Sequence, residues 1–394
     1  MQVPIRYIDT QQGLEEFAAE LCGTPLLTLD TEFLREKTYY PQLCLVQVAA
    51  DGREALIDPL APLDLRALVP VLTDPRTVKV FHAGDQDCAI LYQALGAVVR
   101  PVFDTQRAAL LLGLPQQASL VALVRRFCGV SLKKGESFSD WAQRPLTETQ
   151  LSYAIDDVRY LPLAYTRIVS ELQEKGRLPW LEDEFRDMED EERYRVDARE
   201  VWQRLKGVAA LRGSQLATVR EVAAWREQAA QERNLPRKWV LPDDLLVEVA
   251  RREPASPEDL YRVRGIKERL GKRWSQEVLA AVERAQGLSP DQWPTPRRVP
   301  ARDARCVASL DLMGALLHQR AKELHIATSF LAGHDDLARL AEGQREGLTI
   351  LKGWRRDLLG NELLRLLEGG ISLSLDDGDL KVTLLSQAGV PAPS

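Results

Sequence analysis

Asp51-Gly52 stands between two apolar runs, LCLVQVAA (Leu43 to Ala50) and EALIDPL (Glu54 to Leu60). An Asp-Gly pair so flanked favours a tight hairpin, because its two central residues take backbone angles that Gly adopts freely and Asp tolerates. The two runs are therefore read as neighbouring antiparallel strands. A third run, PLLTL (Pro25 to Leu29), precedes them and completes a meander. Two more strands, TVKVFHA (Thr77 to Ala83) and AVVRPVFD (Ala97 to Asp104), alternate with helical patterns near 62–73, 86–95, 104–112, 118–128 and 147–173. A meander followed by strand–helix alternation implies a mixed α/β sheet with helices on both faces.

From about residue 200 strand signals almost vanish and two all-α blocks follow. They share a faint repeat. Glu232, Leu235 and Asp243-Asp244-Leu245 are answered by Glu323, Ile326 and Asp335-Asp336-Leu337, a period near 91 with one residue gained inside the loop. After Gly369-Gly370, ISLSLDDGDLKVTLL reads as a terminal hairpin turning at Asp376 to Asp379. The expected division is an α/β domain over 1–175, an acidic helical linker over 176–200, a helical bundle over 201–288, a Pro- and Arg-rich linker over 289–304, and a second bundle with the hairpin over 305–394.

Charge is segregated along the chain. The net charge is −6, which argues against a uniformly basic nucleic-acid surface. Much of it lies in EDEFRDMEDEE (Glu182 to Glu192), read here as a solvated helix face, whereas RVRGIKERLGKR (Arg262 to Arg273) is strongly basic. No apolar run approaches the roughly 18 residues of a membrane span. The start MQVPIRYIDT carries no basic region followed by an apolar stretch, so a cytoplasmic protein is expected. The five cysteines show no zinc or disulfide spacing and are read as buried free thiols.

The first strand ends on acid. Asp30 and Glu32 are two positions apart, so along a strand both point to one face, where like charges repel and are costly to bury. Asp87 follows a later strand at the start of a helix. Asp157 sits on a helix with Tyr153 one turn before it, on the same face. Four carboxylates carry about −4, and two Mg²⁺ or Mn²⁺ ions carry +4; hard divalent cations take oxygen ligands, and such a pair serves in-line phosphoryl displacement. Tyr153, a poor base at a reference pKa of about 10, would orient the attacking water.

In order and placement these motifs resemble the ribonuclease D family, within the exonuclease superfamily named for its Asp-Glu-Asp-Asp quartet. Asp30 and Glu32 in LDTEF match its first motif, Asp87 in HAGDQD the second, and Tyr153 and Asp157 in YAIDDVRYL the third, in its tyrosine subtype. The spacing selects Asp157 over Asp156. The helical blocks are similar to the family's helicase-and-RNase-D C-terminal (HRDC) domain and to a second, more divergent copy. The resemblance implies a ribonuclease-H-like exonuclease domain and two small bundles. It implies a monomeric 3′→5′ exoribonuclease with two divalent metal ions, releasing nucleoside 5′-monophosphates from single-stranded RNA 3′ ends such as those of tRNA precursors. It also places Gln47, His82, Trp141 and Arg144 as candidate substrate contacts near the site, and the basic composition adds Arg264 and Lys267 as phosphate contacts. For His82 a structural role is the competing reading, and for Trp141 and Arg144 a core tryptophan and its packing partner.

Two rivals stay open at this level. The same quartet serves exonucleases that act on DNA, and a catalytically inactive RNA-binding scaffold would keep the same domains. No Gly-x-x-x-x-Gly-Lys-[Ser/Thr] loop is present, so the helical blocks do not accompany a helicase motor.

Overall fold

The computed structural model of the chain describes residues 5–132, 139–295 and 304–385. Sequence readings that fall on 1–4, on 133–138, on 296–303 in the linker or on 386–394 at the end of the last block lie outside the described residues.

Six strands form one sheet: β1 (Arg6–Ile8), β2 (Leu26–Leu34), β3 (Gln42–Ala50), β4 (Arg53–Ile57), β5 (Val78–Phe81) and β6 (Val102–Asp104). Their order is β1-β4-β3-β2-β5-β6. β2, β3 and β4 make the antiparallel meander, and Asp51 and Gly52 both take positive φ in its turn. β5 and β6 add in parallel beyond β2, and β1 lies parallel to β4. β4 stops at Ile57, short of the expected Leu60. Asp58 ends it, accepting from the backbone N–H of Leu60 while its carboxylate takes side-chain partners.

The helices of this domain are α1 (Gln11–Leu21), α2 (Val69–Leu72), α3 (Asp85–Leu95), α4 (Thr105–Leu110), α5 (Leu120–Cys128), α6 (Glu148–Arg159) and α7 (Leu161–Glu174). The sequence reading assigned nothing before residue 25, yet β1 and α1 lie there. Thr10 caps α1, and Leu14, Phe17, Ala18 and Leu21 are buried at helical spacing. The single helix expected over 147–173 is two. Pro162 lacks the N–H that would bond Val158 O one turn back, and Thr28 Oγ1 on β2 donates to that carbonyl instead, at 2.9 Å. The break thus fastens α6 to the sheet. Its Ala154, Ile155 and Val158 pack on Cys44, Leu45 and Leu56, while the opposite face of the sheet faces the larger core containing α1, α3 and α7.

The acidic stretch presents most of its carboxylates to solvent, as expected, and packs its other face on the protein. Its helix α8 (Glu182–Met188) buries Phe185 and Met188. Glu189 accepts from the backbone N–H of Val102 at 2.8 Å, so it occupies a donor on the outer edge of β6. Glu184 pairs with Arg355 at 2.7 Å, reaching into the last block. The cysteines are free, with Cys44 and Cys88 buried but Cys22 exposed.

The first helical block comprises α9 (Ser214–Glu232), α10 (Arg237–Val240), α11 (Asp243–Arg252), α12 (Pro257–Tyr261) and α13 (Lys272–Gln286). The second comprises α14 (Ala304–Leu324), α15 (Thr328–Leu331), α16 (His334–Ala341), α17 (Gly353–Arg355) and α18 (Asn361–Leu367), closed by the hairpin β7 (Ile371–Asp376) and β8 (Asp379–Leu384). The repeat holds in three dimensions. Asn234 and His325 both turn the chain at positive φ, then Leu235 N–H bonds Ala230 O and Ile326 N–H bonds Ala321 O. α10 and α15 start at 237 and 328, and α11 and α16 at 243 and 334, so the period is 91 throughout. No residue is gained in the loop; the Asp-Asp pair itself sits one position later in the second copy, with His334 opening its helix.

The two blocks are anchored differently. Residues 202–282 enclose a core of their own, against which Tyr39 of the α/β domain packs. The core of the second block is continuous with that of the α/β domain. Trp354 stacks on Trp180 at 4.8 Å and donates its Nε1–H to Trp180 O at 3.2 Å, and Ala327 N–H bonds Leu110 O at 3.1 Å. Calorimetry is therefore expected to resolve two cooperative units, the first helical block and everything else. Trp354→Ala, which removes a partly buried indole, should lower the stability of the larger unit by about 2–4 kcal/mol and leave the other unmoved. Three independent transitions would contradict this.

Candidate active site

β2 outruns its parallel neighbour. It pairs with β5 only over Leu26 to Thr28, while its other edge stays on β3 as far as Leu34. Asp30 and Glu32 therefore lie past the carboxyl end of β5, in the crevice where ligands bind in open α/β sheets. A bulge follows between Glu32 and Phe33. A bulge twists a strand and ends its regular alternation, so the two acids share one face and the chain then leaves it.

α6 brings the third acid. A capping box, Thr147 with Gln150, starts this helix. Its Asp157 places a carboxylate oxygen so that Asp30, Glu32 and Asp157 each offer one oxygen within 4.8 Å of the others. Asp156 turns aside and pairs with Arg159 at 3.2 Å, and Arg159 in turn holds Glu54. Tyr153, one turn before Asp157, sits beside its carboxylate and holds down its pKa.

Asp87 approaches from α3 but stands apart from the close trio. Its carboxylate accepts from the Thr31 backbone N–H at 3.1 Å and from the Thr31 hydroxyl. The turn that aims it is tight. Gly84 has no room for a side chain, since a Cβ there would sit 2.4 Å from Cβ of Phe81. Gly84 N–H is held by buried Asp104 at 2.8 Å, and Asp104 also caps α4 through Gln106 and Arg107. Thr31, Asp104 and Thr105 were not singled out from the sequence. Asp104-Thr105 ending one strand and opening a helix was the available cap signal.

Burial and mutual repulsion set the protonation of the group. Burial pushes Asp30 well above the usual carboxylate range, with Asp87, Asp157 and Glu32 adding to it. Burial, then Asp157 and Asp87, raise Glu32 to about 8. Burial lifts Asp157 to about 7 against the opposing influence of Tyr153, and Asp87 to about 6 against the hydrogen bonds from Thr31. Tyr153 is raised too, by burial first and then by the carboxylates, which keeps it a neutral hydroxyl. Such a group fits a divalent cation, which supplies the missing positive charge and takes oxygen ligands.

Four of the six candidate substrate contacts are engaged by other residues of the fold, two of them directly behind the site. Gln47 lies opposite Asp30 on β3, fully buried, with its Nε2 3.5 Å from Asp30 Oδ2. It supports the carboxylate from behind. Both ring nitrogens of His82 are engaged, with Thr105 Oγ1 and Ala118 O, each at 3.0 Å, and burial lowers its pKa. Trp141 is buried beneath Tyr153, ring centroids 6.0 Å apart. Arg144 grips Asp58 with two nitrogens at 2.6 and 2.7 Å and bonds the carbonyls of Cys44 and Trp141. Burial alone would raise Asp58, but the bonds from Arg144 and Tyr7 outweigh it and hold the carboxyl below its ordinary value. Arg264 and Lys267 are exposed on the turn after α12, away from the trio in sequence and in domain.

Residues 5–173 match the family model for the 3′-5′ exonuclease, and residues 215–282 match the HRDC domain. Ribonuclease D of Sphingobium indicum is 39% identical over 383 residues, covering 95% of this chain and 98% of its own length. Ribonuclease D of Zymomonas mobilis is 37% identical over 384 residues, covering 95% and 97%. The crystal structure of Escherichia coli RNase D, described as an exoribonuclease involved in structured RNA processing, superposes with a TM-score of 0.82 at 32% identity, covering 93% of this chain and 99% of that one.

Two outcomes follow from the geometry. Because the folded carboxyls titrate above the unfolded value of about 4, the metal-free fold binds more protons than the unfolded chain between pH about 4 and about 8, and stability falls as pH rises through that window. In EDTA, Tm should drop from pH 5 to pH 8, Glu32→Gln should flatten the drop, and Mg²⁺ or Mn²⁺ should restore more at pH 8 than at pH 5. An identical pH slope in wild type and Glu32→Gln would sink this account. Separately, Arg144→Ala should cost about 2–4 kcal/mol in urea melts, the lower side of a broken buried pair because Arg144 is partly exposed. The KM for RNA should stay unchanged; a raised KM with unchanged stability would return Arg144 to substrate binding.

Proposed function

The chain belongs to the ribonuclease D family, and from that premise we propose that it removes nucleotides one at a time from RNA 3′ ends by metal-dependent phosphodiester hydrolysis. The observation that carries the reading is the convergence of Asp30, Glu32 and Asp157 within 4.8 Å, with Tyr153 one helical turn before Asp157. Asp30, Glu32, Asp87 and Asp157 would hold two divalent cations, Mg²⁺ or Mn²⁺. When bound, these supply charge neutralisation at the phosphodiester and a lowered pKa for water.

The chain's own residues then do the positioning. Asp30 and Glu32, fixed on a sheet strand, and Asp157, on a helix fastened to that strand, give a rigid oxygen cage. The Tyr153 hydroxyl stays protonated, so it orients the attacking water and does not remove its proton. Attack forms a new P–O bond and breaks the P–O3′ bond. The products are a nucleoside 5′-monophosphate and an RNA shortened by one nucleotide with a free 3′-hydroxyl. All these groups come from one chain, which supports a monomer as the working unit. No helix among the described residues is long and apolar enough to cross a membrane.

We assign the substrate as RNA with a single-stranded 3′ end, tRNA precursors in particular, and the catalytic division to residues 1–175. The helical blocks over 201–288 and 305–394 are assigned to grip. In the first of them, exposed Arg264 and Lys267 would add phosphate contacts without sequence preference. The test is purified protein with a 3′-extended tRNA precursor and a matched DNA oligonucleotide, in Mg²⁺, Mn²⁺ or EDTA, resolved at single-nucleotide steps. RNA should shorten stepwise only with metal; shortening of DNA alone would overturn the substrate assignment. Asp30→Asn and Asp157→Asn should each nearly abolish turnover. Tyr153→Phe should lose about tenfold to a thousandfold in rate, on the scale of a positioning hydrogen bond, with Mn²⁺ affinity unchanged. Equal loss of Mn²⁺ affinity in Tyr153→Phe and Asp157→Asn would make Tyr153 part of the cage.

A further inference from the structure

A cleft of about 700 Å³ opens between the segments that follow Glu32 and precede Asp87, where three parts of the chain meet. The β2–β3 connection gives Arg35, Tyr39 and Tyr40; α3 gives Tyr92; the segment after the acidic helix gives Tyr194; and α10 of the first helical block gives Arg237. Its position ties it to the reaction. Arg35 lies three residues after Glu32, and Asp85 and Gln86 on its wall sit immediately before Asp87. The chain segments that carry Glu32 and Asp87 therefore run directly into its walls.

The walls are built and not incidental. Tyr39 donates to Glu227, which is fully buried, and Arg237 grips the same carboxylate through two nitrogens at 2.5 and 2.6 Å. The Arg237 guanidinium lies 4.7 Å over the Tyr39 ring. Tyr40 meets Tyr39 edge-on at 4.7 Å, and its backbone N–H is held by Asn234 at 3.0 Å. Tyr92 and Tyr194 stack on each other at 5.3 Å. The acid in the cleft, Asp85, is neutralised by Arg107 and Arg193 at 2.8 and 2.6 Å. Arg35 is exposed and makes no hydrogen bond or ion pair among the described residues.

Aromatic faces with a free cation, on segments that run into the carboxylates of a phosphodiester-cleaving centre, match the chemistry of single-stranded nucleic acid, whose bases stack on aromatic rings while its phosphates meet Arg. We infer that this cleft, between the β2–β3 connection, α3 and the first helical block, is a binding site for RNA nucleotides upstream of the two that flank the scissile linkage, with Tyr40 stacking a base and Arg35 meeting a phosphate. Its volume lies in the range of small-molecule clefts, enough for about one or two nucleotides and too little for a duplex. The inference rests on the exonuclease reading and specifies its substrate path.

The test compares an RNA dinucleotide with single-stranded RNA six to eight nucleotides long. In wild type, lengthening should lower KM. Tyr40→Ala and Arg35→Ala should each raise KM for the longer RNA by about tenfold to a hundredfold, the scale of one stacked base or charged contact. The dinucleotide, which carries only the two nucleotides flanking the scissile linkage and none of those assigned to the cleft, should be hydrolysed as by wild type. Tyr40→Phe, which keeps the ring, should behave as wild type and so excludes misfolding as the cause. Arg35→Ala should also make the salt dependence of KM shallower by about 0.7 in log–log slope, one phosphate contact on a single strand. Wild-type KM on the longer RNA in both Ala variants would overturn the inference, as would equal losses on dinucleotide and longer RNA. Absence of any RNA hydrolysis by wild type would instead defeat the exonuclease reading itself.

Discussion

Three carboxylate oxygens held within 4.8 Å of one another repel, and the α/β domain is organised to keep them there. Two of the acids ride on β2, which parts from β5 after Thr28 and runs on paired with β3 alone. The third rides on a helix that Thr28 ties to that strand through the carbonyl freed by Pro162. Asp87 is aimed by a turn that tolerates no side chain at position 84 and is clasped by Asp104. Each support is a hydrogen bond or a steric limit in the buried layer behind the acids. The cost is stored in raised carboxyl pKa values, as is common where charge is gathered for function.

The helical blocks are fastened to this domain by different physics. The second shares its apolar core and a stack of aromatic rings, so hydrophobic burial joins them. The first keeps its own core and meets the domain through Tyr39, whose ring packs on that core while its hydroxyl joins the buried Glu227–Arg237 pair. This polar contact lies on the connection that leaves Glu32, so the placement of the first block and the shape of the crevice are linked. The acidic segment works as a strap. It occupies the edge of β6 through Glu189 and reaches the second block through Glu184.

Period-two alternation, the Asp-Gly turn and the paired acids made the meander, the strand–helix alternation and the four acids with Tyr153 legible, because each depends on residues close in sequence. The repeat between the helical blocks was legible to within one residue; a one-residue offset of the Asp-Asp pair looked like an insertion until the helix starts fixed the register. The solvated face of the acidic run was legible, but its buried side was not, because composition reports charge and not what packs around Phe185 and Met188. The N-terminal strand and helix were passed over although Leu14, Phe17, Ala18 and Leu21 carried the helical spacing.

By itself the sequence determined the fold class and the acids Asp30, Glu32 and Asp157 that the fold gathers, since local pattern and residue chemistry suffice for these. Tertiary structure alone decided which polar residues face the crevice and which are spent behind it. Gln47, His82, Trp141 and Arg144 have the chemistry of substrate contacts, yet their partners are Asp30, Thr105, Tyr153 and Asp58, residues 12 to 86 positions away. Whether an Arg meets a phosphate or a buried carboxylate is settled by what the fold brings next to it, and no short stretch of sequence contains that information.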